Sequence, residues 1–316
     1  MAFETLLGND QLKSNLLSAR RKGRLSHFYL ISGPEGSGRH TLADLLAQAL
    51  MCEEPDGPCG HCRACRKIRE HIHPDYILAD DPSSRTVKVG FVRDIRSDVF
   101  IRPNEGIKKI YLFPRAQDMG LEAQNALLKV LEEPPAYGVF LLLTDNPEKL
   151  LPTIRSRCVE LKMQPLHEEI LRPALHREFP EAPESTVSAA ILRSGGYLGQ
   201  ARALMQGSTM SEQTRRFAAC YASRDVYGLL ELLVPMEKWK RDALIPMLGE
   251  WLELLGQALS SRAGLPVCAQ EAADIAAVRR SGDMMRACDA LRKAMEYAQG
   301  NVSCAAVCGW LSWALR

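Results

Sequence analysis

The sequence predicts an α/β protein: a parallel sheet covered by helices, followed by a small helical domain and a larger all-helical domain. Short apolar runs alternate with helical patterns as far as about residue 162, and beyond that point only helical patterns occur. The chain has 316 residues, 46% of them hydrophobic, which is enough for the cores of two or three domains of about 150 residues. We expect domains at 1–163, 164–207 and 208–316.

The elements of the sheet domain follow from its apolar periodicity. A helix is predicted over 9–19 and a buried strand over 28–31, after which a glycine-rich segment leads into a helix over 41–50. The later strands and helices are predicted over 76–79, 92–99, 110–113, 121–131, 139–143 and 158–161. Such alternation is typical of a parallel sheet with helices on both faces.

Helical patterns fill the rest of the chain. Three short helices are predicted over 166–171, 185–192 and 198–205, and Pro173 is expected to end the first. Residues 207–209 (Gly-Ser-Thr) are typical of a linker. Six further helices are predicted over 212–222, 226–233, 241–259, 269–278, 284–297 and 302–315.

Charge and hydropathy argue against a protein that binds nucleic acid by itself and against a membrane protein. Forty Lys and Arg against 38 Asp and Glu give a net charge of +2, far from the basic excess of a protein that binds nucleic acid by itself. The first residues lack a secretory signal, and Gly309 and Ser312 interrupt the apolar tract near residue 315, which is too short to span a bilayer. We expect a cytoplasmic protein without a membrane partner.

The glycine-rich segment follows the pattern of a phosphate-binding loop with altered chemistry. Gly33, Gly36 and Gly38 precede the predicted helix, but Arg39 and His40 stand where such loops carry Lys and Ser or Thr. A planar guanidinium does not replace an ammonium, and an imidazole offers magnesium no hard oxygen. A glycine turn of an unrelated α/β protein is the simpler alternative, and the surviving backbone amides could still hold a nucleotide or sulfate weakly.

The second half of a nucleotide site is also altered. In active sites of this kind an apolar strand ends in two acidic residues, which hold the metal and orient the attacking water. Here the run 110–113 continues into Pro114-Arg115. General-base assistance alone is worth about 10²- to 10⁴-fold in rate, so we expect neither tight ATP binding nor hydrolysis.

Four cysteines fall within fourteen positions and predict a structural zinc site. Cys59, Cys62 and Cys65 form two overlapping C-x-x-C hooks, and Cys52 completes a four-thiolate set. An iron–sulfur centre and a reduced, metal-free cluster are the alternatives. Three histidines could replace Cys52 as a ligand: His61, His71 and His73. The other six cysteines are expected to be small buried hydrophobes: Cys158, Cys220, Cys268, Cys288, Cys304 and Cys308.

Three sequence strings resemble the bacterial clamp-loader subunits, AAA+ proteins that open a sliding clamp and close it on primed DNA. They are LSHFYL at 25–30, NALLKVLEEPP at 125–135 and IRSRC at 154–158. The resemblance covers most of residues 3–205. It implies an AAA+ P-loop domain with a zinc module inserted at about 52–65, a helical lid domain and an all-helical collar domain for oligomerisation.

The resemblance also implies a role. Residues 39–40 and 114–115 look like the non-hydrolysing members of the family, and Gly199 stands near the place of an arginine that senses nucleotide in active members, although Arg202 lies three residues on. Arg157 of the Ser-Arg-Cys motif corresponds to an arginine finger that reaches the nucleotide of a neighbouring subunit. The implied partners are ATPase subunits of the gamma or tau type, a clamp-opening delta subunit, the sliding clamp, and primed DNA through the whole assembly.

Other interpretations of these features compete. The chain could be an active gamma- or tau-like ATPase with an atypical site, or a free-standing zinc-containing nucleic-acid binder, which the net charge disfavours. Arg155 and Arg157 could be ordinary surface cations. Two basic clusters could be solvated faces or could track phosphate: Arg20, Arg21, Lys22 and Arg24 in one, and Arg63, Arg66, Lys67 and Arg69 in the other.

Overall fold

The structure is a computed structural model that describes residues 3, 5–80, 86–206, 210–267, 269–300 and 302–315. The chain divides into two compact units, Met1–Ile170 with Tyr197–Gln200, and Leu171–Gly196 with Ala201–Arg316. The expected division into three domains stays a prediction, and the expected linker at 207–209 lies outside the described residues.

The first unit is built on one parallel sheet. Its strands are β1 (Phe28–Ser32), β2 (Tyr76–Leu78), β3 (Lys109–Phe113), β4 (Gly138–Thr144) and β5 (Val159–Lys162). They lie in the order β2-β3-β4-β1-β5, and every neighbouring pair is parallel. The fold class and all five predicted strands are confirmed, with bounds that differ by one residue at most ends.

Both faces of the sheet are buried, as its unbroken apolar runs require. Successive side chains of a strand point to opposite faces, so Tyr29 and Ile31 pack in one core while Phe28 and Leu30 pack in the other. Strands β1, β3 and β4 are buried along their whole length, whereas the edge strand β5 exposes three of its four residues. The buried central strands therefore hold the loops at their ends in defined positions.

Helices cover this sheet. They are α1 (Asp10–Arg21), α2 (Arg39–Met51), α3 (Arg63–Arg69), α4 (Val89–Asp98), α5 (Leu121–Glu132) and α6 (Pro152–Arg155). The short helix α3 was not predicted. It has only Cys65 and Ile68 buried, too few apolar residues for a periodic signal.

The helices that follow are α7 (Glu168–Glu178), α8 (Glu184–Arg193), α9 (Leu198–Met205), α10 (Glu212–Ser223), α11 (Val226–Met236), α12 (Arg241–Arg262), α13 (Gln270–Val278), α14 (Ser281–Gln299) and α15 (Cys304–Ala314). They correspond one to one to the nine predicted helices. Helices α10 to α15 share one hydrophobic core, in which Trp251 stacks on Phe217 at 4.3 Å between ring centroids. Within the described ranges, no helix is both long and apolar enough to cross a bilayer.

The expected effect of Pro173 was wrong, because α7 continues through it. Pro173 lies in the second turn, and the hydrogen bond that it cannot donate would have gone to the carbonyl of Glu169. Glu169 is exposed, so water can hydrate that carbonyl. In this turn Pro173 therefore removes one backbone hydrogen bond, whose carbonyl acceptor water can hydrate, and the helix continues.

Candidate functional site

The glycine loop lies between β1 and α2, as its motif predicts. Gly36 and Gly38 have φ values of +76° and +90°, a left-handed conformation that strongly favours glycine. Gly38 is the N-cap of α2, and no side chain caps the helix there. The loop thus keeps the backbone shape of a phosphate cradle at a helix N-terminus.

Two carboxylates, those of Asp145 and Glu35, lie near the cation at the start of α2 but do not outweigh its desolvation. Partial burial lowers the pKa of Arg39, while the nearby charges of Asp145 and Glu35 raise it. Asp145 directly follows β4, at the same edge of the sheet as the loop. Within the described part of the chain, Arg39 Nη1 is buried without a hydrogen-bond partner, and so is Ser37 Oγ. Desolvation and the charge of Arg39 lower the pKa of His40, which favours its neutral form.

An ion pair occupies the place of the acidic pair after β3. Arg115 donates from Nε and Nη2 to Asp80 Oδ1 at 3.2 and 2.6 Å, and its Nη1 lies 3.9 Å from Asp118 Oδ2. Asp80 follows β2, the neighbouring strand, so the ends of two parallel strands bring the two charges together. The Asp80 carboxylate is therefore bound to a guanidinium.

The glycine loop is in direct backbone contact with the first turn of α9. The Gly199 N–H donates to the Gly36 carbonyl at 2.9 Å, and Gln200 Nε2 donates to the Glu35 carbonyl at 3.0 Å. A Cβ on Gly36 would lie 2.6 Å from the Gln200 nitrogen, and one on Gly199 would lie 2.5 Å from the Gly36 Cα. Neither position can take a side chain without separating the two segments. Arg202, which lies three residues after Gly199 and was the alternative position for a nucleotide-sensing arginine, donates to Glu178 at 2.5–2.6 Å.

The four predicted cysteine ligands come together. The Sγ atoms of Cys52, Cys59, Cys62 and Cys65 all lie within 4.8 Å of one another, and two of the separations are 4.0 Å. A tetrahedral ion with metal–sulfur bonds of about 2.3 Å requires sulfurs about 3.8 Å apart, so the cluster fits a metal ion. His61, His71 and His73 are not part of this group.

Backbone amides support the sulfurs of this cluster. The N–H groups of Cys59, Cys62 and Cys65 donate to the sulfurs of Cys52, Cys59 and Cys62, respectively, at 3.3–3.4 Å. Burial alone would raise the pKa of Cys59, but the N–H groups of Cys62 and His61 lower it to about 6. Donors of this kind stabilise thiolates, the form in which cysteine binds metal.

Residues 52–69, which contain the four cysteines and α3 and are here called the cysteine module, are bonded to the rest of the first unit by Arg20 and Glu105. Arg20 of α1 donates from Nη2 to the carbonyls of Cys52 and Glu54, at 3.1 and 2.6 Å, and from Nε to that of Pro55. Glu105 pairs with Arg63 at 3.1 Å and also with Lys67, both on α3. Cations of both basic clusters, Arg20 in the first and Arg63 and Lys67 in the second, therefore make contacts within the chain. Binding of nucleic-acid phosphates by either cluster stays a prediction.

Arg157 follows α6 and is 41% exposed. Its Nη1 donates to the carbonyl of Thr153 at 3.0 Å, and its Nη2 lies 3.3 Å from Glu132 Oε1. Glu132 belongs to the LEEPP string, so two of the motifs recognised in the sequence meet here. Arg155 instead pairs with Glu148 at 2.8 Å.

Several residues of the site were missed by sequence reasoning. Asp80, Asp145 and Glu132 have no local motif, and only the strand order and helix packing bring them to Arg115, Arg39 and Arg157. A partial signal existed for Asp80, since it directly follows the predicted strand 76–79. Five of the six remaining cysteines are free and buried or partly buried, as expected, and Cys268 lies outside the described residues.

A glycine loop on a five-stranded parallel sheet, followed by helical segments, is the architecture of an AAA+ protein. A gamma-subunit-related protein of DNA polymerase III from Thermotoga maritima has a similar fold, with a TM-score of 0.55 over 95% of this chain and 98% of that one. The two sequences are 17% identical, so this likeness concerns the fold alone.

Sequence comparison gives the family. Residues 8–167 match the family described as DNA polymerase III, delta subunit. A delta-prime subunit from Escherichia coli is 36% identical over 224 residues, 69% of this chain and 67% of its own length. One from Pseudomonas aeruginosa is 37% identical over 174 residues, which cover 54% of this chain but only 53% of that relative. The chain belongs to this family of clamp-loader subunits.

Proposed function

We propose that this chain acts as the delta-prime subunit of a DNA polymerase III clamp loader. In this role it hydrolyses no ATP itself, braces a heteropentameric loader and donates Arg157 to the nucleotide of a neighbouring ATPase subunit. Its partners would be gamma or tau ATPase subunits, a delta subunit and the sliding clamp, with primed DNA bound by the assembly in the cytoplasm.

The observation that carries the non-hydrolysing role is the Arg115–Asp80 pair. A metal-dependent NTPase needs a free carboxylate for magnesium and a base or positioning group for water. Pro114 and Arg115 supply neither, and Asp80 is engaged by a cation at 2.6 Å. The contact between Gly36 and Gly199 supports the same conclusion, because the loop tip is already bonded to α9.

The exposure of Arg157 supports a role in trans. A guanidinium offers a rigid fork of donors that suits phosphate oxygens, and among the described residues this one is bound by one carbonyl and one half-exposed carboxylate. Exposed ion pairs of this kind are weak, so a neighbouring phosphate can compete with Glu132 for the guanidinium.

Zinc in the cysteine cluster completes the proposal. The sulfur separations fit a four-thiolate structural site, and the backbone N–H donors match thiolate ligands. Cys52, Cys59, Cys62 and Cys65 would hold the ion, whose chemistry there is structural crosslinking. Helix α3 buries only two residues, and the metal would supply the stability that this segment lacks.

Reconstitution of the loader with Arg157→Ala tests the role in trans. We expect DNA-stimulated ATPase activity to fall, since arginine fingers contribute about 10³- to 10⁵-fold at the site they serve. Arg155→Ala is the matched control, because it removes a neighbouring arginine that is already paired with Glu148. Equal turnover in the two variants would exclude Arg157 as the finger. ATP turnover by the isolated wild-type chain would refute the non-hydrolysing role.

A further inference from the structure

The helical unit contains a cavity that the proposed function does not use. Its volume is about 490 Å³, within the range of small-ligand pockets, about 300–1,000 Å³. An apolar side is formed by Val226, Leu229 and Leu315, and a charged side by Arg224, Arg279, Arg280 and Asp283. The cavity is therefore amphipathic, with three cations and one anion in its wall.

Arg279 is the fixed cation of this wall. It exposes only 6% of its surface, donates from Nε to the Tyr221 carbonyl at 2.8 Å and lies 4.2 Å from the centre of the Tyr221 ring. Stacking and this hydrogen bond hold the guanidinium plane in place. Its two Nη groups have no hydrogen-bond partner among the described residues. Neither is among the buried nitrogens that lack a partner in the described residues, so both reach solvent in the cavity and can donate to a bound acceptor.

The other charges around the cavity leave it positive. Arg280 is the N-cap of α14 and gives that helix no side-chain cap, so the positive end of the helix adds to the two cations there. Asp283 is the one carboxylate in the described wall. Its Oδ1 is bound by Arg286 at 2.5 Å, and its Oδ2 lies 3.9 Å from Arg224. Asp283 is thus paired with Arg286 and lies near Arg224, so it does not neutralise Arg279 or Arg280.

We propose that this cavity binds a small amphipathic anion. A phosphate or carboxylate group would accept hydrogen bonds from the Nη groups of Arg279 and from Arg280. The apolar part of the ligand would pack on Val226, Leu229 and Leu315. This site is independent of the glycine loop and of the proposed function.

Titration calorimetry on the whole chain tests the site with phenyl phosphate and benzoate as probes. We expect saturable binding of one equivalent of either anion, weaker binding of inorganic phosphate and none of uncharged phenol. Arg280→Gln should weaken binding about fivefold to tenfold, because it removes one charged donor. Asp283→Asn should tighten binding several-fold, because it removes the one repelling carboxylate.

Two variants serve as controls. Arg292→Gln lies on the same helix and loses only an exposed pair with Asp289, so binding should not change. Arg39→Gln tests whether the anion goes to the glycine loop, and here too binding should not change. The far-ultraviolet circular dichroism of each variant verifies that it is folded. Arg280 is exposed, so its replacement should not disturb the core.

Four outcomes would overturn the proposal. They are no saturable binding of either aromatic anion, equal affinity in Arg280→Gln and the wild type, loss of binding in Arg39→Gln, and inorganic phosphate binding as tightly as phenyl phosphate. The last would leave an anion site without an apolar component.

Discussion

The contact between Gly36 and Gly199 can be broken by a single methyl group. In Gly199→Ala the new Cβ would lie 2.5 Å from the Gly36 Cα and 2.8 Å from the Gly36 carbonyl oxygen. Both are backbone atoms, so no side chain can rotate away and the two segments must separate. Overpacking of this kind costs about 1–3 kcal/mol.

This cost can be read from the thermal unfolding of the first unit, which has roughly the size at which 1 kcal/mol shifts Tm by about 2–4 °C. We therefore expect Gly199→Ala to lower the Tm of this unit by about 2–12 °C in scanning calorimetry. Hydrogen exchange should speed up at the backbone amide of residue 199, which in the wild type donates across the contact.

Gly90→Ala is the matched control in the same unit. Gly90 lies in α4, and a Cβ there would meet nothing within 4 Å. The alanine should be neutral or stabilise by up to about 1 kcal/mol, because it lowers the entropy of the unfolded chain. If Gly199→Ala proves as stable as Gly90→Ala, the loop and α9 are not held in contact and the reasoning fails.

Three further predictions concern the cysteine module and its anchors. Cys59→Ser should lower the zinc content of the purified protein from one equivalent per chain to well below one, as measured by atomic emission, whereas Cys220→Ser should leave it unchanged. Gly57→Ala should also reduce zinc content, because a Cβ there would collide with Cys52 Sγ; full zinc occupancy would contradict this. Asp75→Asn should destabilise the protein by about 2–3 kcal/mol at neutral pH, because the buried carboxylate accepts bonds from the backbone N–H groups of residues 104–106 at 2.6–2.9 Å. Burial would raise the pKa of Asp75, but these donors lower it below its ordinary value. The difference between mutant and wild type in urea unfolding should therefore be constant above about pH 4 and shrink as pH falls through the native pKa. A difference that grows on acidification would refute this assignment.

The sequence predicted most of the fold because its signals are local. Apolar runs and helical periodicity located all five strands, and the spacing of Cys52, Cys59, Cys62 and Cys65 located the cysteine cluster. Pro173 misled because the effect of proline depends on its distance from the helix start. The ion pairs of Arg115 with Asp80 and of Arg157 with Glu132 could not be predicted, because their members lie 35 and 25 residues apart along the chain and only the tertiary fold joins them.

The close approach of the two backbones at Gly36 and Gly199 could not be predicted from the sequence either. Glycine at 36 follows from its positive φ, but glycine at 199 lies in an ordinary helical turn where alanine would be favoured. Its reason lies in a segment more than 160 positions earlier. A sequence pattern can mark such a glycine as unusual, but only the packed structure shows which atom excludes the side chain.

The Arg115–Asp80 pair makes the end of β3 unfavourable for a single acidic substitution. Arg115→Glu would set a second carboxylate against Asp80 and remove the cation that now neutralises Asp80. The guanidinium that neutralises Asp80 thus limits which charges this strand end can accept, and an acidic residue at position 115 would require another cation nearby.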